Sequence, residues 1–193
     1  MGYQIIQPPF TLIFREMTKK ELAEYRVWFL DSFEDRIAGL EDVVRETPGY
    51  GSWVADCTPE SLEALGNWFA DTVTTRRRTP EEMAPIRLKD EFFITPELFD
   101  LTNYSYSVAM DIGMYFGRTF KRKHPHVFWK QFLGSKNYVD YGQPVLTGFG
   151  LAPLNPVGIA VVLARGLAKK NRTGNRLHEV FNYWSDSVKP QKH

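Results

Sequence analysis

Cysteine is almost absent from this 193-residue sequence. Cys57 is the only one, which excludes an intramolecular disulfide and a cysteine-based zinc cluster and favours a reducing compartment. Long apolar runs are missing as well, because the longest, near residues 159–163, is far shorter than the roughly 20 residues of a membrane span. The first residues also lack the basic and apolar regions of a secretory signal. We therefore expect a cytoplasmic protein without a membrane partner.

Net charge is almost absent too, since 24 basic and 23 acidic side chains leave a total of +1. Such a chain has no overall field that would attract nucleic acid or an anionic membrane. Two local basic runs, Arg76-Arg77-Arg78 and Lys121-Arg122-Lys123, could still contact RNA phosphates, with Trp129 stacking on a base. Alternatively, the runs complement the negative ends of helices. The charge balance argues against a nucleic-acid partner and leaves RNA binding as a third hypothesis.

Signatures of catalysis and of cofactor binding are missing. There is no Gly-x-Ser-x-Gly motif, and the glycines form no phosphate-binding or dinucleotide-binding fingerprint. Two imidazoles in His124-Pro125-His126 invite a metal interpretation, but a closed site needs further ligands, and a helix end followed by a polar loop is the alternative. Cys57 is best interpreted as a buried or incidental thiol. We predict no catalytic residue, metal or cofactor, and a non-enzyme is favoured.

The length is that of one domain with a sizeable core. We expect residues 1–16 to form an extended N-terminal arm and residues 187–193 a flexible tail. Within the arm, the β-prone run Phe10–Phe14 is either a strand or part of the extended chain. The sequence does not specify an oligomeric state.

A triplet that occurs three times, Thr-Pro-Glu, predicts three helix starts. It is found at Thr58-Pro59-Glu60, Thr79-Pro80-Glu81 and Thr95-Pro96-Glu97. In each, the threonine can cap a free backbone N–H, the proline fits the first helical position, and the glutamate faces the positive end of the helix.

A fourth start, Thr18-Lys19-Lys20-Glu21, matches the capping box and predicts a long helix. Apolar residues follow it at steps of three and four, which place them on one helical face. They are Leu22, Tyr25, Phe29, Phe33, Ile37, Leu40 and Val44. Charged residues occupy the other face, namely Glu24, Asp31, Glu34, Asp35, Arg36 and Glu41.

The region from Pro96 to Lys121 is apolar almost all round, which predicts a central, buried helix. Gly113 and Gly117 lie one turn apart on it and would allow another element to approach closely. Residues 127–132 and 143–149 are predicted to be short strands, and Asn155-Pro156 predicts a helix start. The expected fold class is therefore α+β, a helix-rich single domain with a small antiparallel sheet or hairpin in its second half.

One polar stripe interrupts the predicted central helix. Asn103, Ser107 and Asp111 are spaced by four residues, and Arg118 lies seven further along the same side. A carboxylate among Met110, Ile112 and Met114 must be paired, or its pKa altered, if it is buried. The stripe is interpreted either as a pocket for a substrate or small ligand, or as a structural ion pair in which Asp111 meets Arg118, His124 or His126.

A partner surface is predicted in the loop Tyr138–Tyr141, where two tyrosines flank an acidic residue. Tyrosine is one of the residue types that dominate protein interfaces. The charged face of the first helix is predicted to contribute as well. The predicted partner-binding residues are Tyr138, Asp140, Tyr141, Asp31, Glu34 and Asp35.

Several segments of the second half resemble small bacterial proteins, among them immunity proteins, which sit beside polymorphic toxins and neutralise them by binding. The resemblance lies in 111–117, Trp129, Asn137-Tyr138 and 143–149, about a fifth of the chain. It implies a non-enzymatic protein-binding factor whose partner is a toxin domain. The alternative function is an enzyme or small-ligand-binding protein with a pocket around Asn103, Ser107, Asp111 and Arg118.

Overall fold

The computed structural model describes residues 2–89, 97–149 and 153–188. Within these ranges helices and short strands follow one another in chain order. They are α1 Lys19–Asp31, α2 Phe33–Glu46, α3 Pro59–Thr72, β1 Thr75–Arg77, α4 Pro80–Lys89, β2 Phe99–Leu101, α5 Asn103–Lys123, β3 Phe128–Gln131, β4 Pro144–Thr147, α6 Pro156–Ala168 and α7 Arg176–Asp186. The protein is thus α+β and helix-rich, as predicted.

Two of the three Thr-Pro-Glu triplets begin helices as predicted. The Thr58 side chain accepts a hydrogen bond from the Ser61 N–H at the start of α3, and Thr79 accepts one from the Glu82 N–H at the start of α4. In the third triplet, Thr95 and Pro96 lie outside the described residues. The helix predicted from Pro96 begins only at Asn103, since residues 99–101 form β2 and Thr102 supplies the cap.

The long helix predicted from Thr18 is divided at Ser32. Its capping box is confirmed, because Thr18 and Glu21 exchange both hydrogen bonds. The Ser32 hydroxyl donates to the Trp28 carbonyl oxygen over 2.6 Å, a back-bond of the kind that bends helices. The predicted apolar face is buried on both sides of the break, with Phe33 only partly buried.

The central helix is α5, which is buried along most of its length, as its all-round apolar sequence predicted. Its two glycines do allow close approach. A Cβ atom on Gly113 would lie 2.6 Å from Cα of Val157 in α6, and one on Gly117 would lie 2.2 Å from the Trp129 ring. The first contact places α6 directly against α5, and the second places β3 against it. Both helices contribute to the main core with α2, α3 and α7.

Two small antiparallel sheets complete the fold. The predicted hairpin in the second half is confirmed as β3 paired with β4, with Trp129 opposite Leu146. The other sheet pairs β1 with β2, with Arg76 opposite Asp100. The interpretation of Arg76-Arg77-Arg78 as the basic end of a helix is therefore wrong, because α3 ends at Thr72 and the arginines belong to, or directly follow, a strand.

The N-terminal arm, of which residues 2–16 are described, contains no helix or strand, and the run Phe10–Phe14 lies in bends and at the start of a turn, so it is not a strand. The helix predicted from Asn155 is confirmed as α6, whose first turn is capped by the Asn155 side chain. Most of the predicted tail, residues 189–193, lies outside the described residues. In the part of the chain that the structure describes, no helix is long and apolar enough to cross a membrane.

Candidate functional site

Asp111 is fully buried in the middle of α5, and its carboxylate is paired with Arg36 of α2. Arg36 Nε donates to Asp111 Oδ1 over 2.8 Å, and Arg36 Nη2 donates to Oδ2 over 2.6 Å. The Tyr3 hydroxyl donates a further hydrogen bond to Oδ2. The expected partners Arg118, His124 and His126 are therefore wrong, and the ion pair instead joins two helices and the N-terminal arm.

Ser107, one turn before Asp111, extends this network to the arm. Its hydroxyl lies 2.9 Å from the Tyr3 hydroxyl and accepts the Ile6 backbone N–H over 2.7 Å. Arg36 Nη1 also donates to the Gln4 carbonyl oxygen over 2.8 Å. We call Tyr3, Arg36, Ser107 and Asp111 the Asp111 cluster. Each polar side chain of the cluster has a hydrogen-bond partner in the protein, which supports the structural interpretation of Asp111 over a catalytic one.

Burial raises the pKa of the Asp111 carboxyl to about 6, although Arg36 and Tyr3 stabilise the charged form. Burial also raises the pKa of the Tyr3 phenol, as does the nearby Asp111 charge, so Tyr3 remains a hydrogen-bond donor. Burial alone would lower the pKa of Arg36, but the hydrogen bond and charge of Asp111 outweigh it and raise the pKa. Near neutral pH the cluster thus holds one carboxylate and one guanidinium.

The raised pKa of Asp111 predicts a pH-dependent contribution to stability. The folded protein binds a proton at Asp111 more tightly than the unfolded chain, so this contribution is fully present below pH about 4 and is lost as pH rises through about 6. We expect the unfolding free energy of the wild type minus that of Asp111→Asn to be larger at pH about 4.5 than at about 7.5. Urea unfolding of both proteins checks this, and a difference that shrinks on acidification would contradict it.

The predicted stripe does not form one pocket. Arg118 points to α2, where it pairs with Glu34. Asn103 and Ser107 do line a common cavity of about 350 Å³ between the arm, α1, α5 and α6, but Asp111 and Arg118 are not among its lining residues. The hypothesis of a small-ligand pocket must therefore be revised, since a ligand in this cavity would contact neither Asp111 nor Arg118.

The loop from Tyr138 to Tyr141 is only partly the exposed surface that was predicted. Tyr138 and Val139 are 53% and 76% exposed. Asp140 is half-buried and accepts a hydrogen bond from the Asn155 side chain over 2.7 Å. Tyr141 is only 9% exposed and belongs to the same buried cluster as Met17 and Leu22, so its expected exposure is wrong.

The other acidic residues predicted to bind a partner, Asp31, Glu34 and Asp35, are exposed around the break between α1 and α2. Glu34 pairs with Arg118, whereas Asp31 and Asp35 form no ion pair with a described residue. Asp35 and the exposed Asp42 are two turns apart on α2 and flank a groove of about 410 Å³ whose other wall is the start of the arm. The structure therefore presents an exposed acidic edge along α2, and Arg36 also lines the groove beside it.

Charge is unevenly distributed along the chain, although the total is only +1. Residues 19–72, which contain α1 to α3, carry twelve acidic and five basic side chains. Residues 112–188 carry eleven basic and three acidic side chains. An interaction through α2 would therefore favour a basic partner, even though the whole protein is nearly neutral.

The remaining candidate groups make local contacts. His124 Nε2 lies 2.6 Å from the Ser185 hydroxyl, and within the described ranges no three His, Cys, Asp or Glu residues are placed to hold a metal ion. Cys57 is half-buried, and its backbone N–H donates to the Tyr115 hydroxyl over 2.8 Å. Lys121-Arg122-Lys123 forms the last turn of α5, where basic charge complements the helix end.

Arg76 and Arg78 of the first basic run are paired with Glu82 and Asp100. Their charges are thus neutralised locally. This leaves less of that run available for phosphate than the sequence indicated.

Sequence reasoning missed the role of Tyr3 and Arg36. Arg36 was assigned to the charged outer face of the first helix, and nothing in the sequence near Tyr3 indicates a buried hydrogen bond. No family model, curated protein or solved structure matches this chain.

Proposed function

We propose that the protein is a non-enzymatic binding factor of the immunity type, which neutralises a cognate toxin domain by direct binding in the cytoplasm. The observation that carries the proposal is the exposed acidic edge formed by Asp31 at the end of α1 and by Glu34, Asp35 and Asp42 of α2. Electrostatic complementarity increases the rate of association and rejects wrong partners. The partner is therefore a protein with a basic surface.

The groove beside this edge supports the same assignment. Asp35 and Asp42 stand on its α2 side, with the small residues Ala38 and Gly39 between them. A Cβ atom added to Gly39 would meet no neighbouring atom, so the floor of the groove is open there. A lysine or arginine side chain of the partner fits such a groove, because it would gain one of the two carboxylates without displacing a large side chain.

Tyr138 is proposed as a second contact. The loop that carries it is joined to the region before α1, where Lys136 Nζ donates to the Arg15 carbonyl oxygen over 3.2 Å. Asp31 is at the other end of α1. At 1.5 Å per residue, α1 separates the two contacts by about 20 Å, a distance that one partner protein can span. Tyr141 is not part of this surface.

The test is an affinity pull-down with the tagged protein from its native organism, followed by mass spectrometry. We expect one stoichiometric protein partner whose capture is reduced at least tenfold by Asp35→Lys, because the substitution places a cation against the basic surface. Asp186→Lys is the matched control, since it makes the same charge change on an exposed residue at the end of α7. Equal capture by both variants would remove the α2 edge from the interface.

A growth assay then tests the immunity role itself. If the captured partner is a toxin, co-expression of the wild type restores the growth of cells that produce it, and co-expression of Asp35→Lys does not. A partner that is harmless on its own would contradict toxin neutralisation while leaving protein binding intact. Failure to capture any stoichiometric protein would contradict both.

A further inference from the structure

The cavity between the N-terminal arm and α5 has the composition of a small-molecule site. Its walls come from the arm, α1, the start of β4, α5 and α6, and its volume of about 350 Å³ is at the small end of the range for ligand pockets. Apolar side chains form most of the lining, including Ile6 from the arm, Met110 from α5 and Val157 from α6. Of its lining residues, only Asn103 and Ser107 were among the predicted pocket residues.

A buried phenol without a partner faces this cavity. Tyr25 of α1 is 2% exposed and lines the pocket, and its ring packs against Phe14 and Phe29. Among residues 2–89, 97–149 and 153–188, none forms a hydrogen bond with its hydroxyl, and burial is the cause that raises its pKa. The hydroxyl oxygen is not among the fully enclosed polar atoms without a partner, so it is open to the cavity that Tyr25 lines and is available to a ligand atom.

The lining contains no charged residue. Its other polar side chains are the hydroxyls of Ser107 and Tyr106 and the amides of Asn103, Gln143 and Asn155. Most of these are already engaged, since Ser107 belongs to the Asp111 cluster and Asn155 bonds to both Gln143 and Asp140. An ionised ligand would therefore lose its hydration in this cavity without meeting an opposite charge.

We propose that this cavity binds a neutral, largely apolar small molecule that carries one hydrogen-bonding oxygen. The apolar part contacts Ile6, Met110 and Val157, and the oxygen exchanges a hydrogen bond with the Tyr25 hydroxyl. The site is formed before the ligand binds, because the bond from Ile6 to Ser107 and the Asp111 cluster hold the arm in place as its outer wall. This proposal is independent of the proposed protein partner.

The test uses hexan-1-ol, octan-1-ol and decan-1-ol as probes, with octanoate as the charged counterpart of octan-1-ol. A ligand that binds only the folded state raises the melting temperature as its concentration increases. We expect a saturable rise for at least one of the alcohols and none for octanoate. The proposal would be overturned if no alcohol gave a saturable rise, or if octanoate bound as well as octan-1-ol.

Two variants and a control test whether the alcohol binds in this cavity. Tyr25→Phe removes only the unpartnered hydroxyl, so we expect about a five- to tenfold weaker affinity for the alcohol with no loss of stability in the free protein. Val161→Trp fills the cavity from α6 and should abolish binding, whereas Val162→Trp is the matched control because Val162 is 68% exposed and faces a different groove. Unchanged affinity in both Tyr25→Phe and Val161→Trp would overturn the proposal.

Discussion

Asp111→Ala is expected to lower the free energy of unfolding by about 3–5 kcal/mol at neutral pH, the usual cost of removing one partner from a buried ion pair. The substitution leaves the Arg36 guanidinium without its carboxylate. Only 15% of the Arg36 side chain is exposed. The substitution also removes the acceptor of the Tyr3 hydroxyl, so the start of the arm loses a contact with α5. Asp111 is therefore the acceptor on α5 that both α2 and the arm share.

Urea unfolding at constant pH measures this effect, and the chain supplies an exposed ion pair as its control. Arg118 and Glu34 also join α5 to α2, but 83% of the Glu34 side chain is exposed. Glu34→Ala should therefore cost no more than about 1 kcal/mol. A loss below about 1 kcal/mol for Asp111→Ala would show that the cluster does not stabilise the fold.

A double variant separates the charge from the packing. In Arg36→Met with Asp111→Leu, both charges are replaced by apolar groups of similar size, so neither remains buried alone. We expect this protein to be clearly more stable than Asp111→Ala, because buried ion pairs are often replaced by apolar residues at little cost. If it were equally unstable, the unpaired arginine would not be the cause of the loss in Asp111→Ala.

Gly113→Ala is expected to destabilise the protein by about 3 kcal/mol or more, since the new methyl group would overlap the backbone of α6. The added Cβ would lie 2.6 Å from Val157 Cα and 2.8 Å from Val157 N. Backbone atoms cannot rotate away as a flexible side chain would, so α6 must shift along its contact with α5. Because Val157 also lines the cavity beneath the arm, that shift should alter the pocket too.

Gly39→Ala is the matched control, because it makes the same change inside α2 where no atom lies within 4 Å of the added Cβ. There the alanine should stabilise the protein by about 0.5–1 kcal/mol through its higher helix propensity. Urea unfolding of both variants gives the comparison. If Gly113→Ala also stabilised the protein, α5 and α6 would not be in the close contact described above.

The elements that the sequence predicted well are those whose cause is local. The capping box at Thr18, the Thr-Pro pairs before α3 and α4, and Asn155 before α6 all act within one helical turn. The hairpin of β3 and β4 joins segments close in sequence. The break at Ser32 was missed because the apolar periodicity continues across it, while a single side-chain hydrogen bond to Trp28 accompanies the change in direction.

The predictions that were wrong concern contacts between residues that lie far apart in the sequence. The strand β2 was assigned to the central helix because its residues continue the apolar pattern, but Phe99–Leu101 pairs with Thr75–Arg77. Tyr141 was expected to be exposed because its neighbours are polar, yet it packs into a cluster that includes Leu22 of α1. Neither outcome follows from residues adjacent in the chain.

The sequence by itself determined where most helices begin, that a hairpin lies in the second half, and that Asp111 on a buried helix needs a compensating group. Caps, periodicity and the cost of a buried charge are sufficient for these conclusions. Only the tertiary structure decided that Arg36 and Tyr3 supply that compensation and that Tyr25 faces a cavity under the arm. The reason is physical: these contacts join residues 75 or more positions apart, and which of them meet depends on how the helices pack as a whole.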